Sequence, residues 1–206
     1  MNYKIIPLQK SHIDLVVDIH IKAFPGFFLS FLGPRFLKEF YQSFAEDPIG
    51  IGFVAVDSDC NQVIAVTVGP LVPAGYFKRL LKRKWWAFCL ASISAVIKKP
   101  SVIKRLFRAV FYRGDSPAHA DALALLSSIA VSPDVQAKGI GAALVNAFVQ
   151  EVKKRGGKGI FLTTDAQGND KVNRFYQKMG FTLESSYTTP EGRQMNRYIL
   201  IFSNHN

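Results

Sequence analysis

The sequence predicts an α/β chain of the α+β kind, and three observations carry that prediction. A short strand-like opening is followed by two stretches of helical periodicity. Two β-branched runs, GIGFVAVD (Gly50 to Asp57) and QVIAVTVGPL (Gln62 to Leu71), are joined by Ser58-Asp59-Cys60-Asn61, which reads as a hairpin turn. The second half alternates strand-like and helical segments and closes on two more strand-like runs across Pro190-Glu191-Gly192.

Taken in order, Asn2 to Pro7 is the opening strand, and Ser11 is placed to cap a helix whose apolar positions are Ile13, Val16, Val17, Ile19 and Ala23. Pro25-Gly26 stops it. An aromatic loop, Phe27-Phe28-Leu29-Ser30-Phe31, leads through Gly33-Pro34 into a second amphipathic helix carrying Phe36, Leu37, Phe40, Tyr41 and Phe44. After the hairpin, residues 73–117 predict two or three further helices. Their longest apolar stretch, Trp85 to Ile97, has thirteen residues and is too short to cross a bilayer, while Val102, Ile103, Leu106, Phe107, Val110 and Phe111 share one face opposite Lys104, Arg105 and Arg108. LALLSSIAV (Leu123 to Val131) reads as one strand. A helix from Ala142 to Arg155 ends at the C-cap signal Gly156-Gly157, Gly159 to Asp165 is a buried strand, and Lys171 to Met179 a short helix. FTLESSYTT and RQMNRYILIF are the last two strands.

At 206 residues and 49% hydrophobic content the chain suits one full core, so a single domain over 1–206 is expected, with a helical insertion at about 73–117. Cys60 and Cys89 have no metal-like spacing and no partner histidine cluster, which argues against a disulfide framework, a zinc site or any other metal. The opening MNYKIIPLQKSHIDL does not read as a secretory signal, and no run of eighteen apolar residues occurs, so a cytoplasmic location is expected. Net charge is +11, but it is local: of 26 Lys and Arg, eleven lie between Tyr76 and Arg113 with no acid among them, and the other 15 balance the 15 acids. That pattern points to an anionic surface for one segment, not to a basic protein throughout. Because these cations share helices with large apolar residues, an anionic membrane surface touched through 76–113, at the inner face, fits better than nucleic acid.

The segment SPDVQAKGIGAAL (Ser132 to Leu144) follows a strand and runs straight into a helix. Gly139 and Gly141 remove side chains that would hold a phosphate away from main-chain N–H groups. The unpaired donors of the helix's first turn, at the positive end of its dipole, favour a polyanion there. A pyrophosphate fits this loop.

Gln136, Ala137, Lys138, Gly139, Ile140, Gly141 resembles the coenzyme A signature of the GNAT superfamily of acyl-CoA N-acyltransferases, which reads Gln or Arg, two residues, Gly, any residue, then Gly or Ala. About thirty residues on, NDKVNRFYQKMGF (Asn169 to Phe181) resembles that superfamily's second signature, an Asn before a helix carrying Tyr, any residue, Lys, any residue, Gly, Phe. The resemblance implies a GNAT-like mixed, mostly antiparallel central sheet flanked by helices, with the basic helical insertion lying before the cofactor-binding strand. It implies acetyl transfer from acetyl-CoA to an amine. It further implies that Ile129, Ala130 and Val131 present backbone groups to the pantetheine and thioester, that Gln136 to Ala142 hold the pyrophosphate, and that Asn169 and Asn173 contact the pantetheine amides; the alternative for Asn169 is a helix N-cap.

Acyl transfer needs an acid for the departing thiolate and a base that keeps the amine neutral. Tyr176 matches the superfamily's tyrosine facing the coenzyme sulfur, and a phenol of pKa about 10 suits donation to a thiolate whose own value is about 8.5. Phe175 beside it reads as the core member of the pair. The strand that often supplies a glutamate here offers Ser127 and Ser128, so Asp165 is the nominated base, with Ser127 ordering a water as its competitor. His20 and His119 read as surface residues. The acceptor is expected to meet Pro25 to Leu32, the basic insertion and Tyr187 to Arg193. A small-molecule primary amine is the expected partner, an amino sugar that is nucleotide- or lipid-linked leading the class. A protein or peptide N-acetyltransferase, or a membrane-surface binding module that keeps the fold, are the alternatives, and the chain is a monomer or homodimer.

Overall fold

The computed structural model describes residues 2–98, 123–135 and 139–203. Strand β1 (Tyr3–Pro7) leads into a 3-10 turn at Lys10–His12 and then helix α1 (Ile13–Ala23). Ser11 lies inside that turn and does not cap α1; a box between Gln9 and His12 closes the turn instead, with the Gln9 N–H donating to His12 Nδ1 at 3.2 Å. The aromatic segment is not a loop but a one-turn helix, α2 (Phe28–Leu32), because Leu32 is drawn fully into the core and Gly33, at φ 93, turns the chain into α3 (Pro34–Glu46). Pro34 at the start of α3 lacks an N–H where none can be used, and Phe36, Leu37, Phe40, Tyr41 and Phe44 are all buried on one stripe.

The hairpin is β2 (Gly50–Asp57) and β3 (Val63–Pro70), every residue of β3 being buried. Helix α4 (Tyr76–Lys98) kinks at Lys84 and packs on α3. Phe44 stacks on Tyr76 at 5.3 Å and Phe36 meets Phe88 at 4.9 Å, while Lys84 reaches both Glu39 and Glu46. The second half of the basic insertion, with Phe107, Phe111 and Arg113, lies outside the described residues, as do His119, Gln136, Ala137 and Lys138.

The run LALLSSIAV, expected as one strand, is two. Strand β4 (Leu123–Leu125) pairs in parallel with β6 (Gly159–Asp165), and Leu126 N–H still donates to Phe161; then the chain changes partner, and β5 (Ser128–Val131) pairs antiparallel with β3. Helix α5 (Ile140–Lys154), helix α6 (Asp170–Lys178) and the hairpin β7 (Thr182–Thr188) and β8 (Gln194–Ile201) complete the chain. Gly156, at φ 77, ends α5 as the sequence requires, with Gly157 N–H returning to the Val152 carbonyl.

Two four-stranded sheets result, ordered β1-β2-β3-β5 and β4-β6-β8-β7, with β4–β6 the parallel pair among the described strands. The mixed, mostly antiparallel arrangement flanked by helices is therefore present. One core lies between the first sheet and α1, α3 and α4; a second fills the space under α5 and α6 around Phe148, Ile160, Leu162, Tyr176 and Tyr198. Gly69 lets the sheets meet: a Cβ there would overlap the Leu125 carbonyl oxygen and press on the Phe148 ring.

Candidate active site

The change of partner at Leu126–Ser127 opens a slot. Among the described residues, the side of β6 that faced β4 has no neighbouring strand beyond Phe161, and β5 is the last strand of the other sheet. The Ser127 N–H donates to the carbonyl of Val68, the residue opposite Ser128, so two residues face one and the chain kinks outward there. Ser132 N–H donates to Ile64, which sets the alternation: Ser128 and Ala130 turn their backbone groups to β3, and Ile129 and Val131 turn theirs to the open edge. An extended amide-bearing ligand laid in this slot would complete both sheets.

The slot runs to the N-terminus of α5. Gly139 is left-handed, at φ 76, with nothing within 4 Å of the place its Cβ would occupy. A Cβ on Gly141 would stand 3.7 Å from Phe175 and 3.9 Å from Val131, in ordinary contact. Among the described residues, the start of this fifteen-residue helix has open space at Gly139 and lies beside a strand edge whose outward amides have no strand partner, a geometry suited to an extended anionic ligand.

Tyr176 and Phe175 exchange the places the sequence suggested. Tyr176 is the buried one, with its ring packed against Phe181 and Tyr198, while Phe175 is half-buried and lies toward Gly141. The reason is the short helix's phase, which turns Asn173 and Tyr176 inward together. The Tyr176 hydroxyl has no hydrogen-bond partner among the described residues, and burial pushes its pKa far above the ordinary phenol value, so the hydroxyl keeps its proton at any working pH.

Asn169 stands at the N-cap position of α6, yet its side chain does not cap; its Nδ2 donates to Thr164 Oγ1 at 2.7 Å. Asn173 is a hub. Its Nδ2 donates to the carbonyls of Asp165 and Asn169, and its Oδ1 accepts from Asn196 and from the Tyr198 hydroxyl at 3.1 Å. Its side chain is thereby committed to holding α6 on the β6–β8 ladder. Asp165, at the end of β6, is gripped by Arg193, whose Nη2 lies 2.7 Å from both carboxylate oxygens and whose Nε lies 3.1 Å from Oδ1. Arg193 in turn lies under Phe27, 5.7 Å from the ring centre. The loop before α2, the end of β6 and the last hairpin therefore meet at one point. Ser127 Oγ is buried with no partner among the described residues.

Sequence reading missed three residues. His20 is not on the surface: it is 3% exposed, with Nδ1 2.7 Å from the Tyr41 hydroxyl, which is 3.1 Å from Ser128 Oγ. The signal was available, because His20 falls on the same helical stripe as Ile13, Val16 and Val17. Burial lowers its pKa to about 4, so the ring is neutral. Among the described residues no group of three or more His, Cys, Asp or Glu is placed to hold a metal ion, and no helix is long and apolar enough to cross a membrane.

The split sheet, with a helix N-terminus at the mouth of the split, is also found in solved acetyltransferases. Residues 107–181 match the Acetyltransferase (GNAT) family. Solved structures of the same fold include the ribosomal-protein-S18-alanine N-acetyltransferase of Escherichia coli (18% identity, covering 100% of this chain and 98% of that one, TM-score 0.57). Arabidopsis thaliana NAA60 in complex with acetyl-CoA is similar at 17% identity, with 98% and 99% covered and TM-score 0.59. Mutant forms of the spermidine/spermine N-acetyltransferase SpeG of Vibrio cholerae match at 13% identity, with 97% and 95% covered and TM-score 0.54. The family match covers residues 107–181 of this chain, and the fold is the one these N-acetyltransferase structures share.

Proposed function

We propose that this chain, acting as one domain, transfers the acetyl group of acetyl-CoA to the primary amine of a small molecule. The observation that carries the reading is the slot between β5 and β6 running into the open, glycine-lined N-terminus of α5. Bound there, acetyl-CoA supplies the thioester. The first turn of α5, with Gly139, Ile140, Gly141 and Ala142, holds the pyrophosphate, joined by Gln136, Ala137 and Lys138; the outward backbone groups of Ile129 and Val131 hold the pantetheine. Ala130 packs behind them, and Asn169 and Asn173 shape the far wall.

Tyr176 then delivers the proton that the departing thiolate needs, from a hydroxyl that no described side chain engages. Asp165 serves as base only when Arg193 releases it, and Ser127 Oγ, buried and unpartnered among the described residues, is the alternative group for ordering a water. The acceptor enters beneath Phe27, beside Arg193. The exposed ring of Phe27 suits the apolar face of an amino sugar, and the guanidinium suits a phosphate carried by its nucleotide or lipid. Thiol release measured across a panel of amines, free and phosphate-bearing sugars, polyamines and N-terminal peptides tests this; turnover confined to peptides would replace the small-molecule reading.

A second observation favours attachment to an anionic membrane surface at the inner face. Lys78, Lys82, Trp86 and Leu90 follow one another at four-residue spacing along α4, and all are exposed, Trp86 at 56% and Leu90 at 58%. Cations framing apolar side chains suit the boundary between headgroups and acyl chains, each cation adding about 1 kcal/mol near an anionic surface. Sedimentation with anionic and neutral liposomes at low and high salt decides it, since binding that ignores lipid charge and salt removes the reading.

A further inference from the structure

The chain of polar groups from α1 through α3 to β5 has no part in the acyl transfer as set out above, and it ends at the slot. His20 and Tyr41 are both buried, and Ser128, at the head of β5, is half-buried. Side chains alternate along a strand, and Ala130 belongs to the core of α1 and α3 whereas Ile129 and Val131 pack toward α5. Ser128 therefore lies on the helix face of α1 and α3, the side the loop before α2 borders, and not on the side of the pyrophosphate cradle.

We propose that His20 and Tyr41 are positioning residues that fix the Ser128 hydroxyl as a hydrogen-bond acceptor for the attacking amine. The inference rests on the acetyl-transfer reading of the slot. Its direction follows from acidity and burial. The His20 ring is neutral, and a phenol is a stronger acid than a neutral imidazole N–H, so Tyr41 is assigned as donor to Nδ1 across the 2.7 Å contact, which places the ring proton on Nε2, a buried atom with no partner among the described residues. With its proton committed, Tyr41 offers Ser128 a lone pair, and the Ser128 O–H turns inward to meet it at 3.1 Å. Only lone pairs then remain on Ser128 Oγ for any other partner. A thioester carbonyl also offers lone pairs and gains nothing there. An amine N–H does, and when it donates to Ser128 the nitrogen lone pair is held toward the carbonyl carbon. The nitrogen then forms the new bond to that carbon, the carbon–sulfur bond breaks, and the thiolate leaves with a proton from Tyr176; the proton the nitrogen sheds as the amide forms passes to water, and water returns one to the Tyr176 phenolate. A lone serine hydroxyl rotates freely between donating and accepting; the two residues behind it remove that choice.

The test uses the full chain, acetyl-CoA and the amine with the highest wild-type turnover, comparing Ser128→Ala, Tyr41→Phe, His20→Asn and the Tyr41→Phe/Ser128→Ala pair. Each single variant is expected to lower kcat/KM for the amine by roughly 10- to 100-fold with acetyl-CoA affinity by calorimetry unchanged, and Ser128→Thr to restore most of the rate. The double variant should be no slower than the slower single, because the residues act as a unit. Nitrogen NMR of the His20 ring should find Nδ1 without a proton in the wild type. Variants as fast as an active parent, effects that multiply, or a protonated Nδ1 overturn the inference while leaving the acetyl-transfer reading standing. A wild type that binds acetyl-CoA and turns over no amine overturns both.

Discussion

The guanidinium of Arg193 lies between the Phe27 ring, 5.7 Å away, and the Asp165 carboxylate, 2.7 Å away, so a single side chain ties the first helical loop to the last hairpin. The Arg193 side chain is about two-fifths exposed, and an ion pair in that setting is worth little to folding. Its value is geometric. Arg193→Gln is expected to leave the thermal midpoint nearly unchanged while raising KM for the acceptor about tenfold, with acetyl-CoA affinity intact. Phe27→Leu should have a smaller effect, in line with a cation–π contact of about 0.5–1 kcal/mol at a wet site. Steady-state kinetics with the acceptor varied checks both.

The glycines of the anion site differ in what they tolerate. Gly141 has ordinary clearance, so Gly141→Val should fold normally yet fail to bind acetyl-CoA, its side chain filling the space the pyrophosphate needs. Gly139 has room but stands at φ 76, where a β-branched residue is strained, so Gly139→Val should lose stability as well as affinity. Calorimetric titration beside a melting curve separates the two; near wild-type affinity in folded Gly141→Val would remove the cradle assignment.

Tyr176→Phe keeps the ring against Phe181 and Tyr198 and deletes only the hydroxyl. The thermal midpoint should hardly move, while kcat falls by roughly 10²-fold and acetyl-CoA affinity persists, a loss confined to the transition state. Single-turnover and steady-state measurements together check it, and binding weakened in proportion to rate would mark Tyr176 as a cofactor contact.

Glu46 fastens the insertion to the body. Burial alone would raise its pKa, but Lys10 at 2.6 Å, Gln42 at 2.7 Å and Lys84 at 3.1 Å outweigh burial and hold it at about 2 against an ordinary 4.5. A depressed carboxyl stabilises the fold fully above its unfolded pKa and loses that contribution as pH falls toward the folded one. The urea midpoint of the wild type should therefore exceed that of Glu46→Gln at pH 7, and the gap should close between about pH 4.5 and 2.

Much of the scaffold was legible because its signals are local. Pro34 after Gly33, the apolar stripe of α3, the C-cap at Gly156 and the β-branched hairpin each name their element within a few residues. The split of LALLSSIAV was not legible, since the run looks equally extended on either side of Leu126 and only the distant partners Val68 and Phe161 decide where it divides. The site divides the same way. Gly139, Gly141 and the strand before them follow from their spacing. Arg193 holding Asp165, and Ser128 rather than Ser127 joining Tyr41, depend on strand register, where a shift of one residue turns a side chain to the opposite face.

The unfinished seam between β5 and β6 makes this protein's durability a function of its supply. Among the described residues, the outward amides of Ile129 and Val131 have no strand partner, and the backbone bonds of Leu126 and Ser127 join the chain to one sheet and then the other. A donor that threads the seam acts as a missing strand, and at a hundredfold excess over its Kd it adds about 2.7 kcal/mol to the folded state by mass action. Deuterium uptake at β5 should fall when acetyl-CoA is added, and resistance to proteolysis should rise with its concentration. On the acetyl-transfer reading, depletion of acetyl-CoA should therefore shorten the protein's half-life under protease.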